Sequence, residues 1–348
     1  MKLLLMFALC YFVAGGYAQP LRFLPLAEGT NTSIRGMSIA TDNSIWVSGS
    51  NGMVGVSVNG GQTWQWKTVK GFETSDFRDI HAMDSSTAVI MAVDNPAYIL
   101  KTINGGVSWK VTFEKSQDGM FLDAMHFKND KEGICIGDPL ILGSGGRRLF
   151  YLLRSHDGGD SWTPDPLYQL PPAQPGEAIF SASGTNIAFL NTPQFDYSFV
   201  TGGTISNLYL MGRPGLPNKK VNIPINQGVA SSGTFSMATD GVKTFYCVGG
   251  DYKEPDNQYY NFYYTKDSGK KWASSSIAPP FGYRSCVALI DAKQLVACGT
   301  NGVDFTKNGG KEWKKISDEG FNVCMVAADK HTIYFAGGKG KIARLTIK

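Results

Sequence analysis

The sequence predicts an all-β chain folded as a seven-bladed β-propeller. Three observations carry that prediction: a composition suited to short strands and tight turns, an octapeptide that recurs along the chain, and an opening strand that repeats at blade-like spacing. Of 348 residues only 18% are charged, 12% are aromatic and 41 are glycine. That balance favours many half-buried strands over long amphipathic helices.

The octapeptide reads Ser/Thr-x-Asp/Asn-x-Gly-x-x-Trp. It occurs at Ser57, Asn59, Gly61, Trp64 and at Thr102, Asn104, Gly106, Trp109, then at Ser155, Asp157, Gly159, Trp162. It returns at Thr265, Asp267, Gly269, Trp272 and at Thr306, Asn308, Gly310, Trp313. Five of the seven tryptophans hold its last position, an arrangement chance does not produce. The chemistry is that of a hairpin turn. The hydroxyl and the Asp or Asn side chain accept nearby backbone N–H bonds, and the glycine takes a conformation closed to other residues. The indole then packs against the adjoining strands.

Successive tryptophans of the motif lie 45, 53, 110 and 41 residues apart, so the long gap holds two repeats, one without its octapeptide. Reading back from each turn finds seven opening strands, beginning near residues 34, 77, 121, 177, 233, 283 and 321. The fourth repeat keeps only Thr201-Gly202-Gly203 in place of the motif. Several strands within each repeat of 40 to 55 residues describe propeller blades. A ring has to close, because open sheet edges are unpaired. The last repeat lacks an outer strand, and residues 22–26 are expected to supply it.

The first eighteen residues read as a secretory signal: Lys2, an apolar run over residues 3–13, and small residues at Gly16 and Ala18 ahead of a cut after Ala18. Residues 19–348 then form one propeller domain, secreted or periplasmic, with no transmembrane segment. A formal net charge of +4 with no polybasic run gives no sign of nucleic-acid binding. Five cysteines follow the signal, all in apolar strand-like stretches. They read as buried hydrophobes, with one disulfide open between Cys286 and Cys298, which flank a hairpin. His81, His126, His156 and His331 are scattered, and three of the five octapeptides carry Asn rather than Asp, so neither a zinc nor a calcium site is predicted. Gly143-Ser144-Gly145-Gly146 lacks the strand-to-helix setting of a dinucleotide loop, so no cofactor is expected. Asn31-Thr32-Ser33 is a glycosylation sequon.

The octapeptides resemble the Asp-box (BNR) repeats, over nearly the whole mature chain. Those repeats are shared by sialidases, sortilin-type receptors and photosystem II assembly-factor-like propellers. The layout is most similar to the photosystem II assembly/stability factor-like group. The segments Cys135-Ile136-Gly137-Asp138-Pro139, Gly176-Glu177-Ala178, Val248-Gly249-Gly250-Asp251-Tyr252 and Gly282-Tyr283-Arg284-Ser285 carry that likeness. The resemblance implies a binding or assembly role.

In a propeller the octapeptide turns occupy one face, and the starts of inner strands and ends of second strands gather on the other. The inner-strand starts bring Arg35, Arg78, Asp123, Glu177, Arg284 and Asn322 to that second face. The second-strand ends bring Asn51, Asp94, Asp138, Asn191, Asp251, Asn301 and Lys339. Longer loops with tyrosines lie there too, Tyr252 and Tyr283 among them. Arg35, Arg78, Asp123, Asp138, Glu177, Asp251, Tyr252, Tyr283, Arg284 and Lys339 are therefore the candidate binding residues of a monomer that grips a protein, peptide or glycan. The alternative is a sialidase-like glycoside hydrolase on the same face. It would use the arginines for a substrate carboxylate and draw its acid, base and nucleophile from Glu177, Asp138, Asp251 and Tyr252 or Tyr283.

Overall fold

The computed structural model describes residues 21–93, 95–143 and 145–347. The signal segment and its cleavage position lie outside them, as does Asp94.

Alternating apolar residues build seven antiparallel sheets arranged as a seven-bladed propeller. Blade one runs Ile34–Thr41, Ser44–Gly49, Met53–Ser57 and Gln65–Thr68 from axis to rim. Blade two runs Phe77–Ala82, Ala88–Ala92, Ala97–Thr102 and Lys110–Lys115, and blade three Leu122–Phe127, Gly133–Leu142, Arg147–Ser155 and Thr163–Pro164. The second strands are the most apolar and most buried: Ala88–Ala92 has no exposed residue. Aliphatic and aromatic side chains between neighbouring sheets make up the core.

The five octapeptides all form the turn between third and outer strands. In each, the Ser or Thr hydroxyl accepts the N–H of the glycine four residues on, at 2.7–3.2 Å. The Asx oxygen accepts a second N–H further along, as Asn59 does from Thr63 at 2.9 Å. The glycine has two reasons to be glycine. Gly159 sits at φ +84°, and a Cβ there would stand 2.8 Å from Val89 of the preceding blade. Gly310 repeats this against Phe262, and Gly61 against Leu26. The turn thus fixes a hairpin and seats its blade on the one before.

The closing strand is Phe23–Ala27, one residue beyond the expected position. It pairs antiparallel with Ile342–Thr346, which pairs in turn with Thr332–Ala336 and then Val323–Val326. Blade seven is therefore built from both ends of the described chain.

The fourth blade differs from the sequence reading. Its inner strand is Ile187–Phe189, ten residues past the expected start at 177, followed by Phe195–Val200, Asn207–Gly212 and Lys219–Asn222. Glu177–Ala178 pairs with Gly202–Gly203, which meets blade five at Gly233. Thr201-Gly202-Gly203 therefore follows the second strand and is not a degenerate octapeptide. Asn191 lies between inner and second strands, at the other end of that hairpin from the position assigned to it.

Ring closure gives a direct test. The Phe23 ring lies 5.1 Å from that of Phe335 and 6.2 Å from that of Phe321. Phe23→Ala removes this clamp and is expected to cost about 2–3 kcal/mol, somewhat less than a fully buried Phe→Ala change. Urea unfolding would check it, and an unchanged midpoint would mean the closing strand contributes little.

Candidate functional site

The ten residues by which blade four starts late do not form a rim loop. Residues 179–186 run across the axis of the ring. Ser181 O accepts Arg78 Nη1 of blade two at 3.3 Å, and Ser181 Oγ donates to Asp123 O of blade three at 3.0 Å. Ser183 Oγ donates to Ser285 O of blade six at 2.9 Å, and Thr185 Oγ1 and Ser236 Oγ of blade five are 2.6 Å apart. Gly184 passes so close to blade two that a Cβ would lie 2.4 Å from the Asp79 carboxylate. The segment plugs the central channel, and small hydroxyl residues suit it because each can bond to a different blade.

Above the plug lies a cavity of about 520 Å³. Its lining includes Ala178, Ile179, Phe180, Ser181 and Ala182 from the plug side, and Arg35, Arg78, Phe121, Asp138, Phe235, Tyr252, Tyr283, Ser285, Thr300 and Asn322 from the blades. Arg35 and Arg78 occupy the same position in the inner strands of adjacent blades, which is why they converge. Arg78 Nε binds Asp76 Oδ2 at 2.8 Å, and its guanidinium stands 5.8 Å from the Phe121 ring centre. Burial and the nearby charge of Arg78 both lower the pKa of Arg35, against an opposing pull from Asp76 and Tyr283. Arg35 thus feels the charge of Arg78 in surroundings that screen it less than water does.

An aromatic cluster faces them. Phe180 of the plug stacks on Phe235 at 3.8 Å, and Tyr283 meets Phe235 edge-on at 4.8 Å. Tyr252 borders the same group at 6.2 Å and is 49% exposed. Asp138 supplies the carboxylate. Its Oδ1 accepts the N–H of Ile179 at 2.9 Å, and burial carries its pKa up to about 6 despite that bond and Arg148.

Five of the predicted residues, Arg35, Arg78, Asp138, Tyr252 and Tyr283, therefore line one cavity, together with Asn322. The other five do not. Asp123 is fully buried with no hydrogen-bond partner for either carboxyl oxygen, and burial plus the charge of Asp138 push its pKa well up. Glu177 is also fully buried: Thr201 Oγ1 donates to it at 2.6 Å, Asn207 Nδ2 at 2.8 Å, Tyr209 at 3.1 Å and the Gln174 N–H at 2.8 Å. It ties the plug's base to blade four. Arg284 turns inward to Asp304, Nε to Oδ2 at 2.6 Å, with Nη1 bonded to Tyr283 O and Asn301 Oδ1. Asp251 accepts the Lys253 N–H at 2.9 Å at the edge of an exposed loop. Lys339 borders a separate shallow groove with Thr30, Asn31 and Ser50. Of the three carboxylates weighed for glycoside hydrolysis, only Asp138 reaches the cavity, so Glu177 and Asp251 form no acid pair with it. Among the described residues no group of three His, Cys, Asp or Glu could hold a metal ion.

Phe121, Phe180 and Phe235 line the cavity without having been singled out in the sequence. Phe121 immediately precedes the inner strand of blade three, Phe235 lies within that of blade five, and Phe180 belongs to the plug, so they share no repeat position that would have signalled them.

Asp304→Ala would leave the fully buried Arg284 unpaired. We expect a loss of about 3–5 kcal/mol, the usual cost of orphaning a buried charge, whereas Asp251→Ala should leave the melting temperature nearly unchanged. Equal melting temperatures for the two variants would refute the structural role given to Arg284.

No protein-family model and no curated protein matches the chain. Solved structures do. The chain is similar to a structure titled "YCF48 bound to D1 peptide", with a TM-score of 0.63 and 16% identity over 98% of this chain and 99% of that one. It is similar to YCF48 from Cyanidioschyzon merolae, with a TM-score of 0.64 and 14% identity over 93% and 98% of the two chains. It is also similar to the WD40 domain of Neurospora crassa Pan2, with a TM-score of 0.60 and 11% identity over 90% and 89%. At these identities the likeness establishes the propeller fold.

Proposed function

We propose that this protein is an exported, monomeric propeller of the Asp-box type that binds a peptide segment of a partner protein in the cavity above the plug. The observation that carries the reading is the pairing, in one cavity of about 520 Å³, of two arginines with a four-ring aromatic cluster. Arg35 and Arg78 suit a carboxylate, because guanidinium groups bind it through two parallel hydrogen bonds. Phe180, Phe235, Tyr252 and Tyr283 suit an apolar or aromatic side chain beside that carboxylate. The structural neighbour described as YCF48 bound to D1 peptide supports a peptide as the ligand class. The plug closes one end of the channel, so a chain terminus or a bent segment fits better than a threaded strand.

A panel of short acidic and apolar peptides, titrated by calorimetry, tests the reading. Binding should require both a carboxylate and a neighbouring apolar residue. Arg35→Ala or Arg78→Ala should each weaken it about 10- to 100-fold, the loss of one charge-assisted contact. Equal affinity for the wild type and both variants would remove the cavity from consideration.

Asp138 sets the pH dependence. With its pKa raised to about 6 by burial, it is ionised at neutral pH, and its charge in the same cavity opposes that of a ligand carboxylate. Protonation on lowering the pH from about 7.5 to about 5.5 removes that repulsion, so affinity should rise as pH falls. Asp138→Asn should bind at pH about 7.5 as the wild type does at about 5.5, and its profile should be flat over that range. Affinity that instead falls on acidification in the wild type would contradict the role given to Asp138.

A further inference from the structure

Three of the cysteines meet beneath the cavity. Cys286 of the inner strand Cys286–Leu289 and Cys298 of the second strand Leu295–Gly299 are direct partners across the antiparallel ladder of blade six. Facing residues project to the same side of a sheet. Their Cα atoms stand about 4.5–5.5 Å apart, within the 4.4–6.8 Å span of disulfides. Cys324 of blade seven completes the group. Cys286 Sγ donates to Cys324 O at 3.4 Å. Each of the three is at most 1% exposed, and all are free thiols. Thr185 Oγ1 of the plug reaches Cys286 Sγ at 3.7 Å, while Ser285 and Thr300, the residues flanking those two strands, line the cavity.

We propose that Cys286 and Cys298 are an oxidisable pair that closes a cross-strand disulfide under the cavity, with Cys324 as the thiol that exchanges into it. The oxidant is a low-molecular-weight disulfide such as oxidised glutathione. The Cys286 thiolate attacks one of its sulfurs and releases one reduced thiol, forming a mixed disulfide. The Cys298 thiolate then attacks the Cys286 sulfur and releases the second. Two cysteine thiols are oxidised to one disulfide, the oxidant is reduced to two thiols, and both cysteine protons pass to the departing thiolates. Cys286 is the central thiol of the three, facing Cys298 across the ladder and donating to Cys324 O, which marks it as the attacking group. Because the trio is enclosed, exchange takes place on the folding or locally opened chain. Once the bridge forms, Cys286 no longer donates to Cys324 O and its contact with Thr185 changes, so the plug registers the redox state.

The test is refolding of the full chain in oxidised and reduced glutathione, acid quench, alkylation and peptide mapping. The expected product is a peptide pair joined through Cys286 and Cys298, lighter by two hydrogens than the reduced pair and lost on reduction. Cys298→Ser should move the bridge to Cys286–Cys324. Cys247→Ser, whose thiol lies in another part of the core, should leave it in place. Complete alkylation of both Cys286 and Cys298 after oxidation overturns the proposal, as does a bridge that bypasses Cys286. Neither outcome depends on a variant that might fail to fold, because both are read on the unsubstituted chain.

Discussion

A ring of sheets holds only if each blade is bound to the next, and here two concentric seams do this. The inner seam is a set of polar side chains on one blade aimed at the backbone of its neighbour. Ser38 accepts the Ala82 N–H, Asp79 the Met125 N–H, and Ser236 the Val287 N–H. Ser285 donates to Asn322 O, and Asn322 donates to Ile34 O across the join between blades seven and one. The outer seam is the glycine of each octapeptide seated against the preceding sheet. Neither seam would hold an open arc closed without the strand Phe23–Ala27, which supplies the edge that Ile342–Thr346 would otherwise leave unpaired.

The inner seam also explains the plug. Where blades three, four and five should meet at the axis, the chain inserts residues 179–186, and their hydroxyls and backbone replace the direct blade-to-blade bonds. This places two acids in enclosed surroundings. Asp79 accepts the Ile80 and Met125 N–H bonds yet keeps a pKa pushed well up by burial, and the carboxyl oxygens of Asp123 have no hydrogen-bond partner. Burial disfavours the charged form of both carboxyl groups at the floor of the site. The charged side chains that line the cavity are Arg35, Arg78 and Asp138, with Asp76 bonded to Arg78.

The fold was legible because its signal is local and repeated: five octapeptides fix five hairpins, and their spacing gives the blade count. The fourth blade was misread because Glu177-Ala178-Ile179-Phe180 imitates an opening strand in composition, while the inner strand is the short Ile187–Phe189 that follows the plug. No local rule separates a strand that leaves the axis from a segment that crosses it. Half of the candidate site was legible by the same logic. Arg35 and Arg78 sit at one repeat position, and rotation about the axis carries equivalent positions to neighbouring points of one surface.

Arg284 stands one residue earlier in the repeat, where blades one and two have Ile34 and Phe77. Its N–H bonds to Gly249 O of the preceding blade as the Ile34 N–H bonds to Gly337 O, and Ser285 holds the position of Arg35 and Arg78. Two residues before the octapeptide hydroxyl, blade one has Gly55, blade two has Leu100 and blade six has Asp304. An acid in the middle of an otherwise apolar strand has to find a cation, and Arg284 is the one within reach. The pair is fully buried, and its remaining donor satisfies Tyr283 O and Asn301. Blades one and two carry the apolar Ile34 and Phe77 at that position, and their third strands Met53–Ser57 and Ala97–Thr102 hold no acid to face them. The next residue along the inner strand, Arg35, Arg78 or Ser285, is the one that lines the cavity, so a one-residue step along the repeat separates an arginine open to a ligand from one that braces a blade.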